Sequence, residues 1–137
     1  MKLGPKEILY MKALDEIAGV PAKDCLIKGN QIIFLIDESF MGKAIGRKGA
    51  LVKILSDKLG KQVELVAYDK KPDQFVKKML KDLQVNSAEV AVVEGKKSLF
   101  VSMSFESKRK LLNNASKLKK VRELLQRDYG IDSIRLK

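Results

Sequence analysis

The sequence predicts an α+β fold made of two copies of one unit, and three observations support this prediction. The element order helix–strand–strand–helix–helix–strand can be read in residues 1–69 and again in residues 70–137. The last third of each half superposes on the other at an offset of 70 residues, which places Gly60 on Gly130. A charged segment with a proline, residues 68–74, joins the halves. We therefore predict two domains, each of a size that can fold.

The elements of the first half follow from apolar spacing and from glycines. Apolar residues at helical spacing predict a helix at 7–18 that ends at Gly19. Two apolar strands, 24–28 and 31–36, flank Gly29-Asn30, a pair that suits a two-residue hairpin turn. The other predicted elements are a short helical turn at 38–45, a helix at 50–59 and a half-buried strand at 63–67. The apolar faces of the two longer helices are Ile8, Met11, Leu14 and Ile17, and Leu51, Ile54, Leu55 and Leu59.

The second half is predicted from the same kinds of pattern. A helix whose apolar face runs from Phe75 to Leu83 is followed by strands at 88–93 and 98–105, with a turn at 94–97. The remaining predicted elements are helices at 107–113 and 116–129, with Gly130 ending the latter, and a last strand that carries Ile131, Ile134 and Leu136.

The charge distribution indicates an anionic partner. The formal net charge is +11, and residues 1–69 carry 11 Lys and Arg against 9 Asp and Glu, whereas residues 70–137 carry 17 against 8. Such an excess is typical of proteins that bind nucleic acid or an anionic membrane. We rank nucleic acid first because no basic helix with an aromatic face is apparent. Charge that serves only solubility is the alternative.

The residues that common catalytic sites need are missing. The chain has no histidine and one cysteine, Cys25, which excludes Ser-His triads, an internal disulfide and a cysteine-rich zinc site. We expect Cys25 to be a small core residue, which fits a reducing cytoplasm. No motif places two carboxylates for acid–base chemistry. No apolar run approaches the roughly 20 residues of a membrane span. We predict a cytoplasmic, non-enzymatic protein without a cofactor or a metal.

The segment GKAIGRKGALVKILSDKLG, residues 42–60, carries the strongest functional pattern. Gly46 and Gly49 flank Arg47 and Lys48 directly before a predicted helix. A glycine has no Cβ, so another backbone can approach it closely, and the start of a helix offers N–H groups and a partial positive charge. The spacing fits neither a P-loop nor the dinucleotide fingerprint. The pattern therefore favours a contact with a phosphodiester chain, with a purely structural turn as the alternative.

GxxG between two helices resembles the loop of the KH domain, and the element order resembles the type II variant, a three-stranded sheet with helices on one face. The stretch GKAIGRKGALVKILSDKLGKQVELV resembles the KH region of the NusA family of transcription termination and antitermination factors, and the tandem arrangement resembles its short archaeal members. The likeness is strong over residues 41–67 and weaker over 70–137. It implies a transcription protein whose partners are single-stranded RNA and RNA polymerase. A KH protein of the ribosome or of RNA processing, and an adaptor that docks on polymerase or ribosome, are alternatives.

The resemblance also implies an RNA-binding site in the first half. The loop between the two KH helices clamps about four nucleotides. The implied RNA-binding residues are Gly42, Lys43, Ile45, Gly46, Arg47, Lys48, Gly49 and Val52. Apolar side chains of Ile45, Val52 and the strand at Val63–Leu65 would form a groove floor for bases, with core packing as the alternative.

The second half departs from this pattern. At the offset of 70 residues the loop falls on Ser116-Lys117-Leu118-Lys119, where both glycines are replaced. Their Cβ atoms would obstruct a phosphate chain, and the turn is expected to merge into a helix. Basic residues nearby are accessory candidates for contacts with the RNA backbone, with a solvated helix face as the alternative. They are Lys108, Arg109, Lys117, Lys119 and Lys120.

Overall fold

The computed structural model of the chain describes residues 3–137. The chain divides into two compact units, one that ends at Asp69 and one that spans Lys70–Lys137. In the first unit the elements are α1 (Pro5–Ala18), β1 (Asp24–Lys28), β2 (Gln31–Asp37), α2 (Met41–Ile45), α3 (Ala50–Leu59) and β3 (Gln62–Tyr68), with short 3-10 turns at Glu38–Phe40 and Arg47–Gly49. In the second unit they are α4 (Pro72–Met79), β4 (Val85–Val93), β5 (Lys96–Met103), α5 (Phe105–Leu112), α6 (Ala115–Tyr129) and β6 (Ser133–Leu136).

Each unit contains a three-stranded mixed sheet, and the two sheets have the same topology. The strand orders are β1-β2-β3 and β4-β5-β6. In both sheets the first pair is antiparallel and the second is parallel, so that Phe34 faces Cys25 and Leu65, and Leu99 faces Ile134. A parallel pair needs a crossover, which α2 and α3 supply in the first unit and α5 and α6 in the second. The predicted α+β fold of two like units is confirmed.

One buried cluster of the first unit lies between its helices and one face of its sheet. Ile32 and Phe34 alternate along β2 and therefore share a face, where they are buried with Leu14 of α1 and Leu55 of α3. Burial of a side chain of this size stabilises the fold by about 1.5–3 kcal/mol. Cys25 is buried in the same cluster, which confirms its prediction as a core residue.

The core of the second unit centres on α6. Its inward residues Leu118, Val121 and Leu125 are buried. The ring of Tyr129 at the end of this helix contacts the ring of buried Phe75 in α4, with 4.9 Å between centroids. With 15 residues, α6 is the longest helix in the chain from residue 3 onward, and no helix in that range has the length and apolarity of a membrane span.

Two helix predictions need correction. α4 ends at Met79, and Leu83 lies beyond it in a turn where its N–H donates to the Leu80 carbonyl oxygen at 2.9 Å. The apolar spacing predicts Ile8 and Ile54 on the inward faces of α1 and α3, but these side chains are 56% and 50% exposed. An apolar stripe wider than the contact with the sheet leaves its edge residues in solvent, and spacing alone does not reveal which edge that is.

The hairpin of the second unit also differs from its prediction. Its turn contains only Glu94 and Gly95, both at positive φ (53° and 77°), so β5 begins directly after them. β5 then stops earlier than predicted, because the Ser104 hydroxyl accepts a hydrogen bond from the Ser107 N–H (3.1 Å) and caps a helix. Phe105 is therefore the first residue of α5 and not the end of a strand.

Candidate nucleic-acid interface

The connection between α2 and α3 is a tight turn in an uncommon backbone conformation. Gly46 has φ 76° and ψ 177°, a region that is essentially restricted to glycine. Lys48 (φ 54°, ψ 32°) and Gly49 (φ 75°, ψ 16°) are both left-handed. A left-handed lysine is unfavourable by roughly 1–2 kcal/mol, and such strained residues cluster at functional sites. Because the strained Lys48 lies at the tip of a loop, this turn is the first candidate for a binding site.

The glycines of this segment differ in whether the surrounding structure leaves room for a side chain. A Cβ on Gly46 would lie 2.7 Å from Leu51 Cγ and 3.1 Å from Leu51 N, so the packing of α3 excludes a side chain there. A Cβ on Gly49 or on Gly42 would meet no atom within 4 Å. Gly42 moreover lies inside α2, where glycine is less favourable than alanine by about 0.8–1.0 kcal/mol. The fold needs Gly46, whereas the open space at Gly42 and Gly49 is available to another backbone.

Positive charge concentrates at the same turn. The side chains of Arg47 and Lys48 are exposed at its tip. Gly49 is the N-cap of α3 and has no side chain that could accept hydrogen bonds from the first N–H groups of this ten-residue helix. The Ala50 N–H donates instead to the Arg47 carbonyl oxygen. The first N–H groups of α3 and the helix dipole add a partial positive charge to the two full charges. The turn is thus an exposed, cationic surface with open space over Gly49.

Lys43 lies at a position in the fold that its place in the sequence does not indicate. Its Nζ lies beside Gly19, the residue that ends α1, at 3.2 Å from the position that a Cβ on Gly19 would take. The last turn of α1 has no basic residue of its own. Lys43 therefore supplies a cation at the negative end of the α1 dipole, and its exposed side chain is directed toward α1.

The apolar residues predicted to form a groove fall into two groups. Ile45 is 37% exposed at the end of α2, and Val52 is half-buried in the first turn of α3. Val63 and Leu65 of β3 instead pack against the buried core of the first unit. Ile45 and Val52 are thus accessible beside the glycine turn, while Val63 and Leu65 act mainly as core residues.

The second unit has a helix where the first has its glycine turn. The Asn114 side-chain oxygen accepts a hydrogen bond from the Lys117 N–H (3.2 Å) and caps α6, which begins at Ala115. Residues 116–119 therefore lie in the first turns of α6, which has 15 residues against 10 in α3. No left-handed residue occurs in this segment. The backbone geometry seen at Gly46 has no counterpart here.

The five basic residues predicted as accessory contacts lie on α5 and on the N-terminal half of α6, which pack against each other. Arg109 and Lys119 are exposed, whereas Lys108 and Lys120 are half-buried. The Nζ of Lys117 lies 3.6 Å from Asp82 Oδ2, and its side chain is 26% exposed. This ion pair offsets part of the positive charge of Lys117.

Two exposed apolar side chains of α5 belong to none of the predicted sites. Phe105 is 78% exposed, and Leu112 is 54% exposed. They are seven residues apart on α5, so both lie on its outward side, opposite the buried Ser107 and Leu111. Because β5 is predicted to extend to residue 105, the sequence places Phe105 in a strand and gives no sign that it shares a helix face with Leu112. α5 is therefore a basic helix with one exposed aromatic residue, which corrects the expectation that no such helix is present.

A depression elsewhere in the first unit contains none of the glycine-turn residues and, of the predicted groove, only part of the β3 strand. It is an open depression of about 540 Å³ lined by Asn30, Gln31, Ser56, Gly60, Lys61, Gln62, Val63 and Glu64. Gln31 donates to the Glu64 carboxylate (3.0 Å) within it. It lies at the C-terminal end of α3, whereas the glycine turn lies at the N-terminal end. Within residues 3–137, no group of three or more Cys, Asp or Glu residues is arranged to hold a metal ion.

Comparison with known proteins identifies the family. Residues 9–97 match the model of the KH domain. The chain belongs to the KH domain family. This KH chain is 26% identical over 137 residues to the probable transcription termination protein NusA of Methanocaldococcus jannaschii, which covers 99% of the chain and 75% of the relative. It is 22% identical over 134 residues to the protein of the same name in Halococcus morrhuae, and this alignment covers 98% of the chain and 96% of the relative.

Two further matches extend this finding. The probable transcription termination protein NusA of Methanococcus vannielii is 28% identical over 85 residues, which are 62% of the KH chain and 49% of that relative. The crystal structure of APE1850 superposes with a TM-score of 0.85 at 28% identity and covers 98% of the KH chain and 100% of its own chain. The resemblance to archaeal NusA-like proteins with tandem KH domains is confirmed over nearly the whole chain.

Proposed function

We propose that this KH chain is a cytoplasmic, non-enzymatic protein that binds single-stranded RNA and acts with RNA polymerase in transcription termination or antitermination. The observation that carries the proposal is the turn at Gly46–Gly49, which combines open space, two exposed cations and an N-terminal helix end without a side-chain cap. The relatives named as transcription termination proteins support the choice of process.

In the proposed binding mode, the sugar–phosphate chain crosses the glycine turn of the first unit. A phosphate lies at the N-terminal end of α3, where the helix dipole attracts it, and the Arg47 and Lys48 side chains neutralise the neighbouring phosphates. The chain continues over Gly42, where no side chain obstructs it. Bases then contact the accessible side chains of Ile45 and Val52. Contacts with phosphates position the strand, while contacts with bases give any preference for sequence.

The two units have different roles in this proposal. Residues 1–69 form the first KH domain with an intact GxxG loop, and residues 70–137 form a strongly basic second KH domain with a degenerate loop. The second domain adds contacts to the RNA backbone from α5 and α6. Arg109 and Lys119 are best placed for this because they are exposed, and Lys108, Lys117 and Lys120 contribute less because they are more buried.

The test is a titration of single-stranded RNA at two salt concentrations with the double variant Arg47→Asp/Lys48→Asp. If each residue neutralises one phosphate, the slope of log K against log salt becomes shallower by about 1.4 in the variant, and the affinity falls strongly. The variant should keep its circular dichroism spectrum, because both side chains are exposed.

A matched control makes the same change in net charge elsewhere in the first unit. Lys6 and Lys12 are exposed on α1, and we expect Lys6→Asp/Lys12→Asp to reduce affinity only slightly. Equal affinities of the two double variants would show that charge alone matters, and would leave the glycine turn as a structural feature.

A further inference from the structure

α5 presents one stripe of side chains that no part of its own unit covers. Phe105 is 78% exposed and Leu112 is 54% exposed, and the exposed Arg109 lies between them. Phe105 is the most exposed of the large apolar side chains in residues 3–137. We call Phe105, Arg109 and Leu112 the α5 stripe.

The geometry of the helix aligns these three residues. At 3.6 residues per turn, positions i, i+4 and i+7 fall within about 60° of one another around the axis. Ser107 and Leu111 are buried and therefore define the opposite, inward side of α5. With a rise of 1.5 Å per residue, the stripe is about 10 Å long. It points away from the core of the second unit.

The fold does not account for the aromatic ring at the start of the stripe. The cap of α5 is made by the Ser104 hydroxyl and the Ser107 N–H, and Phe105 takes no part in it. A polar residue would fit the first helical position equally well, since the ring remains in solvent. An exposed aromatic residue next to cations is one of the features of single-stranded nucleic-acid sites, where bases stack on rings beside a positively charged groove.

The charges around the stripe favour a nucleic acid over other occupants. α5 carries Lys108, Arg109 and Lys110 against a single acid, Glu106. The core of a protein–protein interface is typically depleted of lysine, so this charge density does not favour a protein partner. An interfacial membrane helix needs a broad apolar face, which two side chains on eight residues do not provide.

We propose that the α5 stripe is a second site for single-stranded RNA, in which an unpaired base stacks on the Phe105 ring. The Arg109 guanidinium binds the adjacent phosphate, and Leu112 contacts the next nucleotide. The inference rests on the proposed function in that it takes RNA as the ligand. It assigns the second KH domain a mode of binding by stacking, in place of the glycine turn that this domain lacks.

The chain contains no tryptophan, so Phe105→Trp creates a single fluorescent reporter at the site. Single-stranded oligouridylate should quench this tryptophan along a saturable curve, and the same RNA in a duplex should not, because its bases are already stacked. The control is Val92→Trp on β4, a site in the same unit that is 66% exposed. We expect little quenching there. Equal quenching of both reporters, or none at position 105, would overturn the proposal.

A second measurement uses affinity. Removal of one base stack by Phe105→Ala should weaken binding of single-stranded oligouridylate about fivefold or more, and leave duplex binding unchanged. Unchanged single-strand affinity would overturn the stacking site and leave the stripe available to a protein partner. When Phe105→Trp is combined with Arg47→Asp/Lys48→Asp, quenching should persist at a higher RNA concentration. The measurements therefore distinguish a failure of the α5 site from a failure of the proposed site at the glycine turn.

Discussion

Replacement of Gly46 by alanine should destabilise the first unit far more than the same change at Gly49. Both glycines have a positive φ, but they differ in ψ and in their surroundings. Gly46 is in a conformation that is essentially closed to other residues, and its new Cβ would lie 2.7 Å from Leu51 Cγ. The Cβ of an alanine at position 49 would meet no atom within 4 Å.

The magnitudes follow from these two differences. Holding an alanine in the backbone conformation of Gly46 costs of order 1–3 kcal/mol. Overpacking against Leu51 adds roughly 1 kcal/mol, since Leu51 is partly buried against the core and cannot move freely. We therefore expect Gly46→Ala to lower the free energy of unfolding by about 2–4 kcal/mol. Gly49→Ala should lower it by only about 1 kcal/mol, the usual cost of a left-handed alanine.

Urea unfolding followed by circular dichroism measures both variants, and amide hydrogen exchange of β2 assigns the loss to the first unit. For a domain of this size, each kcal/mol corresponds to a change in Tm of about 4–8 °C, so the difference between the variants is large enough to measure. If Gly46→Ala and Gly49→Ala differ by less than about 0.5 kcal/mol, the reasoning about Leu51 and the backbone is refuted.

Three further predictions test other parts of the site. Gly42→Ala should raise the free energy of unfolding by up to about 1 kcal/mol, because alanine is a better helix former than glycine in α2. The same change should weaken RNA binding, because the new Cβ fills the open space beside the turn. Unchanged affinity in a binding titration would show that Gly42 is not part of the site. Asp82→Asn should remove the ion pair of Lys117, so that the slope of log K against log salt for RNA binding becomes steeper by about 0.7. An unchanged slope would show that Lys117 contacts no phosphate. Lys43→Met should lower the free energy of unfolding by roughly 0.3–1 kcal/mol, because α1 loses the cation at its C-terminal end. Equal stability in thermal unfolding would show that Lys43 does not stabilise the end of α1.

The sequence predicted the fold well where local chemistry decides it. The hairpin at Gly29-Asn30 and the helix that ends at Gly60 both occur as expected, because turn and cap residues act over a few positions. The end of β5 was wrong because Ser104 reads equally well as a strand residue and as an N-cap. Only the hydrogen bond that the Ser107 N–H donates to the Ser104 hydroxyl distinguishes the two, and it forms in the folded helix.

The candidate site was predictable in part. The spacing of Gly46 and Gly49 before a helix is visible in the sequence and indicates a tight turn. Their different roles are not visible, because the difference depends on where Leu51 packs in three dimensions. The same holds for Lys43, whose contact with the end of α1 joins residues far apart in the chain. Exposure of Phe105 likewise depends on which side of α5 faces the core.

The central claim is that RNA lies on the glycine turn of the first unit, and an NMR titration tests it most directly. Single-stranded RNA is added to the ¹⁵N-labelled KH chain at low salt, and the shifts of backbone amide signals are followed. The account predicts the largest shifts at residues 46–52, which form the glycine turn and the start of α3, and a second, smaller set on α5. Shifts confined to the second unit, with residues 46–52 unchanged, would contradict it.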